Sequence, residues 1–362
     1  MPNATMRTDF QRQPDVFADI LPKLREAAHA AVPATPGGRI WAGGCGDCLF
    51  AAHAAAAYYA TTHLPYRPGS ALELGFQHDG PRAGEHAVLM SISGGTARTV
   101  ECAHRLQARG VRVIAVTCDT GSALAKAATA TVGLDYTPMS RATPHTTDYT
   151  VTLLALATLA EAFAGQRLAV LNALPDRARA VLPECLGAAR EVVLAGEEPA
   201  AATRYVFLGG LAAYGTAGYA AAKFHEAGGL PAFAAESENF VHGMNFILEP
   251  NDIVVPIVDP GSAGFRALEL AQALPALARV YTILASQDGD PGPASRVLAD
   301  FRNESPLAFP VLSALAAQAL ALTVAETVCP DLEQPRAGFA NGQLHADVQT
   351  RLMKQGRVKV AS

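Results

Sequence analysis

Residues 86–118, HAVLMSISGGTARTVECAHRLQARGVRVIAVTC, constrain the fold most tightly. An apolar run, His86 to Met90, meets the polar turn Ser91-Ile-Ser-Gly-Gly-Thr96. Apolar residues at helical spacing follow, then Gly110 and a second apolar run from Val111 to Val116. The change of period from strand to helix and back reads as one βαβ unit. Strands joined by such a crossover lie parallel, and a parallel sheet is covered on both faces.

The turn between strand and helix is suited to an anion. Hydroxyls of Ser91, Ser93 and Thr96 converge with the free N–H groups that open the helix, where the dipole favours negative charge. Gly94 and Gly95 carry no side chain, so a phosphate can approach the backbone. No lysine follows as in a P-loop, and no GxGxxG is present. An ordinary N-capped helix would show the same Ser and Thr, so the turn alone leaves both readings open.

The 362 residues suffice for two domains of ordinary size. Half are hydrophobic, 17% are charged and the net charge is −5, which predicts packed globular structure and argues against a nucleic-acid surface. The six cysteines lie mostly in apolar elements and read as reduced, cytoplasmic thiols. Cys45 and Cys48 form one CxxC, but no second pair or suitably spaced His completes a metal site, so neither metal nor cofactor is expected. The N-terminus lacks a basic start followed by an apolar run, which gives no signal peptide. Val311 to Val328 is Ala-rich with Ser, Gln, Thr and Glu, the pattern of a core helix rather than a membrane span.

Along the chain, residues 15–32 read as a helix and Arg39 to Ala42 as a strand ending in Gly43-Gly-Cys-Gly-Asp-Cys48. A helix from Leu49 to Thr61 and a strand-like stretch from Ala71 to Phe76 lead into the central unit. After Cys118 come a turn, a short helix from Ala123 and a strand from Ala130 to Leu134. Val151 to Gly165 and Arg167 to Ala195 read as helices, and polar GEEPAAAT marks a boundary. A second cycle follows, with strands at Tyr205 to Leu208, Pro231 to Ala234, Asp252 to Val258 and Arg279 to Leu284, and a final long helix. Both halves begin with a strand, a glycine turn and an Ala-rich helix, so one α/β unit is duplicated. The expected division is an N-terminal helical segment (1–34), a first domain (35–165), a helical linker (166–203), a second domain (204–330) and a tail (331–362).

These features resemble the sugar isomerase (SIS) domain family, in the two-domain arrangement of the isomerase half of glucosamine-6-phosphate synthase and its fructosamine-6-phosphate deglycase relatives. Gln13-Pro14 resembles the family's EQP entry, Gly44-Cys-Gly46 its GxG turn and Ser91 to Thr96 its S-x-SGxT phosphate loop. Val116-Thr117 with Ser122-Ala-Leu-Ala125 is similar to its T-x(4)-S-x-LA ending. In the second half Gly209 to Glu226 resembles GRG-x-x-YP-x-A-x-EGALKLKE, aligning Tyr214, Ala217, Lys223 and Glu226. FVHG places His242 where the family has ELKHG, and Pro330 to Arg336 is similar to D-x-D-x-PR.

The resemblance implies an α/β chain of two tandem SIS domains, each a mostly parallel, doubly wound, flavodoxin-like sheet flanked by helices. Ser91, Ser93, Gly94 and Thr96, with Gly46, Asp47 and Cys48, would hold the phosphorylated sugar or amino sugar. Glu226 would move a proton between C1 and C2, and His242 would assist ring opening, reaching across a homodimer with a shared active site. One carboxylate can take and return the same proton, and an imidazole exchanges protons near neutral pH. In Thr143-Pro-His-Thr-Thr-Asp-Tyr-Thr150, His145 and Thr147 are candidate ligand contacts, although an N-cap explains the hydroxyls equally well.

The chain also departs from the pattern. Asp47-Cys48 stands where many relatives carry Thr-Ser, and an added carboxylate beside a phosphate suggests an altered or amino-bearing substrate. The glutamate of ELKHG is Asn239, with Glu236 and Glu238 just before it. No lysine follows Arg336 at the synthase's position; Lys354 and Lys359 come much later. The residues before Arg39 are too few for a glutaminase domain. The resulting expectation is a cytoplasmic enzyme of carbohydrate-derivative metabolism, an aldose–ketose isomerase or a deglycase/deaminase, with no nucleic-acid or membrane partner. A non-catalytic phosphosugar sensor is the alternative, and a nucleotide-binding enzyme is disfavoured because the glycine turns lack the dinucleotide fingerprint.

Overall fold

The computed structural model describes residues 4–34, 37–139, 144–195, 204–261, 263–287, 289–328 and 341–355. Helices α1 (Ala4–Gln11) and α2 (Gln13–Ala31) precede strand β1 (Ile40–Gly44). Then come α3 (Asp47–Ala54), α4 (Ala56–Thr61), β2 (Tyr66–Ser70), α5 (Ala71–Phe76) and β3 (His86–Met90), followed by α6 (Ala97–Ala108), β4 (Arg112–Thr117), α7 (Ala123–Lys126) and β5 (Ala130–Gly133). Two long helices, α8 (Thr147–Ala164) and α9 (Val170–Leu194), lead to β6 (Tyr205–Gly209), α10 (Leu211–Gly228), β7 (Ala232–Glu236) and α11 (Ser237–Val241). The chain continues through β8 (Ile253–Val258), α12 (Gly264–Ala273), β9 (Arg279–Leu284), β10 (Arg296–Asp300), α13 (Phe309–Val328) and α14 (Gly342–Met353).

Two five-stranded sheets result, in the orders β2-β1-β3-β4-β5 and β7-β6-β8-β9-β10, with every pairing parallel. Numbered within each sheet, both orders are 2-1-3-4-5, the flavodoxin-like winding. The duplication read from the glycine turns is therefore a duplication of topology. In such a sheet, ligands bind outside the carboxyl ends of the strands where the order reverses. For the first sheet that point is flanked by the loops after β1 and β3.

The chain falls into two compact units. One contains the first sheet with α3 to α7 and most of α2 and α8; the other contains the second sheet with α1 and α9 to α13. In the first, Trp41, Leu89, Leu106, Val113 and Leu124 form one buried cluster. In the second, Val206, Leu208, Phe240, Val254 and Leu270 do the same. Each such side chain contributes about 1.5–3 kcal/mol by leaving water. Helix α13 is apolar enough to span a bilayer, but 83% of its most apolar window is buried inside the protein. It packs against α1, α9 and α10 as the core helix of its unit.

Some elements differ from the reading of the sequence. Ala71–Phe76 is a helix, because Ser70 accepts from the Glu73 N–H while Glu73 accepts from the Ser70 N–H, a complete capping box. The strand is Tyr66–Ser70 instead, and its Pro68 is tolerated because β2 is an edge strand. The helix expected over Leu49 to Thr61 is broken at Ala55 into α3 and α4. Helix α1 falls within the expected N-terminal helical segment, whereas strand β10 and helices α11 and α14 lie where none was expected. The GEEPAAAT boundary, Thr143, Cys329, the Pro330 to Arg336 motif and Lys359 lie outside the described residues.

Candidate active site

In the first unit, β3 runs into the hydroxyl-bearing turn while still paired to the sheet: the Ser91 N–H donates to the Val116 carbonyl at 3.1 Å. Ser91 is buried, and its Oγ lies 3.0 Å from Thr96 Oγ1. Thr96 occupies the N-cap of α6, yet its hydroxyl turns toward Ser91 and makes no capping bond. The Thr99 and Val100 N–H groups reach the Thr96 carbonyl. The N–H groups ahead of them have no intrahelical acceptor, which is the geometry that receives an anion. Ser93 Oγ accepts from the Gly95 N–H at 3.3 Å.

The turn is held from behind by residues 117–124. Gly94 sits at φ +63°, and a Cβ there would lie 2.0 Å from Ser122 Oγ and 2.8 Å from Thr117 Oγ1. The Leu124 N–H donates to the Gly94 carbonyl at 2.9 Å, and Thr117 Oγ1 donates to the Ile92 carbonyl at 3.2 Å. Ser122 also caps α7 through the Ala125 N–H. The two motifs, Ser91 to Thr96 and Thr117 to Ala125, are thus one structure.

The loop after β1 lies against the same strand end. A Cβ on Gly44 would meet the Met90 carbonyl at 2.5 Å and the Cys48 Cβ at 2.6 Å. Gly46, at φ +56°, is the N-cap of α3, and Asp47 supplies a negative charge to its first turn. Cys48 is buried; burial pushes its thiol well above the usual range, Asp47, Asp148 and Cys45 add to this, and the backbone of Ile92 opposes it. Cys48 therefore touches the anion turn through its backbone rather than presenting an open thiol. Among the described residues no three His, Cys, Asp or Glu side chains cluster as a metal site requires.

In the second unit, α10 runs from Leu211 to a left-handed cap at Gly229. Glu226 stands in its last turn with the side chain 43% exposed, and Lys223, one turn earlier on the same face, is 1% exposed. The Lys223 Nζ donates to Glu226 Oε2 and to the His145 carbonyl at 3.3 Å, and lies 5.2 Å from the centre of the Tyr219 ring. A buried ammonium is tolerable only when paired and hydrogen-bonded in this way. The sequence aligned Lys223 but gave it no role; the cue was a lysine within an apolar helix, three residues before an acid.

The turn that supplies the His145 carbonyl is itself clamped. Asp9 Oδ2 accepts from the Thr146 N–H at 2.9 Å, Thr146 Oγ1 at 2.7 Å and the Thr147 N–H at 3.0 Å, while Thr147 Oγ1 donates to the Asp9 carbonyl at 2.9 Å. Burial pushes the Asp9 carboxyl up, and these bonds outweigh it and hold it below its ordinary value. Gln318 Nε2 on α13 donates to the Thr146 carbonyl and to the Tyr219 hydroxyl, and its Oε1 accepts from Gln13 Nε2 at 2.7 Å. Gln13 of the entry motif is thus a buried joint of this network. Thr147, read as a possible ligand contact, spends its hydroxyl on Asp9, and His145 contributes its carbonyl.

His242 follows α11 and its side chain is 70% exposed; its Nε2 lies 3.1 Å from Glu238 Oε1, so its partner is Glu238 rather than Glu226. Glu238 also pairs with Arg266 at 2.7 Å, and the hydrogen bond to His242, then Arg266, holds its carboxyl below the usual value. Glu236 accepts from the Glu238 and Asn239 N–H groups and caps α11. Glu238, the residue before Asn239, is thus the acid that meets the imidazole.

Residues 36–162 match the SIS domain model. No curated protein sequence matches the chain. Among solved structures, glucosamine-6-phosphate deaminase from Thermotoga maritima is similar at 21% identity with a TM-score of 0.71, covering 92% of this chain and 98% of that one. The C-terminal domain of glucosamine-fructose-6-phosphate aminotransferase from Francisella tularensis is similar at 18% identity and 0.75, covering 91% and 98%. Tagatose-6-phosphate ketose/aldose isomerase from Escherichia coli is similar at 20% identity and 0.74, covering 93% and 98%. Residues 36–162 thus carry a SIS domain, and the second sheet, β6 to β10, repeats the winding of the first.

Proposed function

We propose that this chain is an enzyme that binds a phosphorylated sugar or amino sugar and moves a proton between C1 and C2. The overall change is either aldose–ketose isomerisation or release of an amine from a 6-phosphosugar adduct. The observation that carries this reading is the pairing of buried Lys223 with half-exposed Glu226, which fixes a carboxylate at the end of α10 while leaving it open to a ligand. Such a group can serve as the single base for both carbons.

The anion turn supplies the other requirement. Ser91, Ser93 and Thr96 donate hydroxyls, and the N–H groups opening α6 add charge complementarity, so the phosphate contributes positioning energy remote from the reacting carbons. His242, oriented by Glu238, is the group for ring opening. Asp47, beside a thiol that meets the turn, favours a substrate that also carries an amine or a hydroxyl there. The structurally similar proteins include a 6-phosphosugar deaminase and a 6-phosphosugar ketose/aldose isomerase, and both reactions agree with these groups. A homodimer is the assembly this reading carries.

The test is a thermal-shift screen against hexose and hexosamine 6-phosphates, with every hit assayed for turnover. Stabilisation with turnover supports the enzyme. Stabilisation without turnover makes the protein a sensor, and no stabilisation by any sugar phosphate removes the reading.

A further inference from the structure

We propose that Cys45 and Cys48 form a reversible disulfide that lowers the anion affinity of the Ser91–Thr96 turn; the second part rests on reading that turn as a phosphate site. The four residues Cys45-Gly46-Asp47-Cys48 trace a tight turn. Gly46, at φ 56° and ψ −127°, has the backbone of the first central residue of a type II′ turn, for which the ideal is about +60° and −120°. Asp47 begins α3 and completes the helical second corner. A β-turn holds its first and fourth Cα atoms within about 7 Å, which meets the roughly 4.4–6.8 Å that a disulfide spans. The Gly46 backbone has open space on the side a Cβ would fill, so the turn can adjust.

The two thiols are differently placed. Cys45 is exposed, and among the described residues its Sγ makes a long hydrogen-bond contact, 3.8 Å, with Thr99 Oγ1, so an oxidant or reductant can reach it. Cys48 is buried at the start of α3, with its Cβ against Gly44 and its thiol against the backbone of Ile92, inside the anion turn. An exposed attacking thiol followed three residues later by a protected resolving thiol is the arrangement dithiol–disulfide exchange uses.

With a peroxide as oxidant the step balances. The Cys45 sulfur attacks the peroxide, an S–O bond forms, the O–O bond breaks and the departing hydroxide takes a proton to leave as water. The Cys48 sulfur then attacks Cys45, the S–S bond forms, the S–O bond breaks, and a second water leaves with the Cys48 proton. Two thiols are oxidised, and one peroxide is reduced to two waters. Drawing the Cys48 sulfur toward Cys45 removes its hydrogen bond to Ile92, between the first two hydroxyls of the turn.

The experiment treats the whole protein with one equivalent of hydrogen peroxide, maps its disulfides without reduction, and titrates reduced and oxidised forms with inorganic phosphate by calorimetry. The expected result is a loss of about 2 Da on a Cys45–Cys48 peptide, phosphate affinity weaker by about tenfold, and recovery of both with dithiothreitol. Cys45→Ser should abolish the mass loss and the affinity change together. Oxidation of Cys45 to a sulfinic acid, or a link from Cys45 to its other neighbour Cys102, overturns the pairing. A Cys45–Cys48 link with unchanged phosphate affinity overturns the switch. A link in a protein whose reduced form binds no phosphate removes the phosphate reading and the switch with it, while the dithiol chemistry stands.

Discussion

The Nζ of Lys223 rests on the carboxylate of Glu226 three residues further along α10, with the lysine buried and the acid half open to solvent. Glu226→Gln removes the base but keeps the shape, so turnover should fall by about 10²–10⁴-fold while sugar-phosphate binding persists. Steady-state kinetics beside a binding titration checks this.

Lys223→Met tests the other half of the pair. Methionine fills the volume of the lysine stem, and the orphaned Glu226 is exposed enough to be solvated, so the thermal midpoint should change little. Turnover should fall by about tenfold or more, because the carboxylate loses the group that fixes its direction. A collapse of the fold with no effect on the residual specific activity would instead make Lys223 purely structural.

Ser91→Ala deletes a hydroxyl facing Thr96 at the mouth of the anion turn. A hydrogen bond to a charged group contributes about 1.5–3 kcal/mol, so KM for a sugar phosphate should rise by about tenfold or more with kcat reduced far less. Gly94→Ala places a Cβ against Ser122 at a backbone angle that alanine avoids, and should destabilise the protein by about 3 kcal/mol. Chemical denaturation measures that loss.

Asp9 predicts a pH dependence. Its carboxyl is held below the unfolded value of about 3.9, so the folded state gives up its charge only at lower pH than the unfolded state does. The stabilisation is present above that value and is lost as pH falls through the folded one. Asp9→Asn should cost about 2 kcal/mol at neutral pH, and the gap from the parent should close on acidification below pH ~4. Denaturation curves at pH 7 and at stepwise lower pH read this directly.

Much of the first sheet was legible in the sequence because its signals are local. The run His86 to Met90 is β3, and the Ser91 to Thr96 turn lies where the period changes. Ala71–Phe76 was misread as a strand although Ser70 and Glu73 carried a capping signal, since a six-residue apolar stretch fits either period. Strand β10 was hidden in a Gly- and Pro-rich stretch, as short edge strands are. At the candidate site, Ser91 and Thr96 stand out by residue type and spacing, whereas Glu226 is singled out only by the family resemblance. The Asp9 clamp did not, because its partners lie 137 and 138 residues away and nothing local marks the pairing. Nothing local marks Glu238 beyond its place beside Asn239; its bond to His242 depends on the backbone of α11 and the turn that ends it.

The most direct test of the proposed chemistry follows the C1 and C2 protons of a bound 6-phosphosugar by NMR in deuterated water. The account predicts that the parent protein exchanges one of these protons with solvent or transfers it between the two carbons, and that Glu226→Gln binds the same sugar and does neither. Equal proton transfer by Glu226→Gln would contradict it.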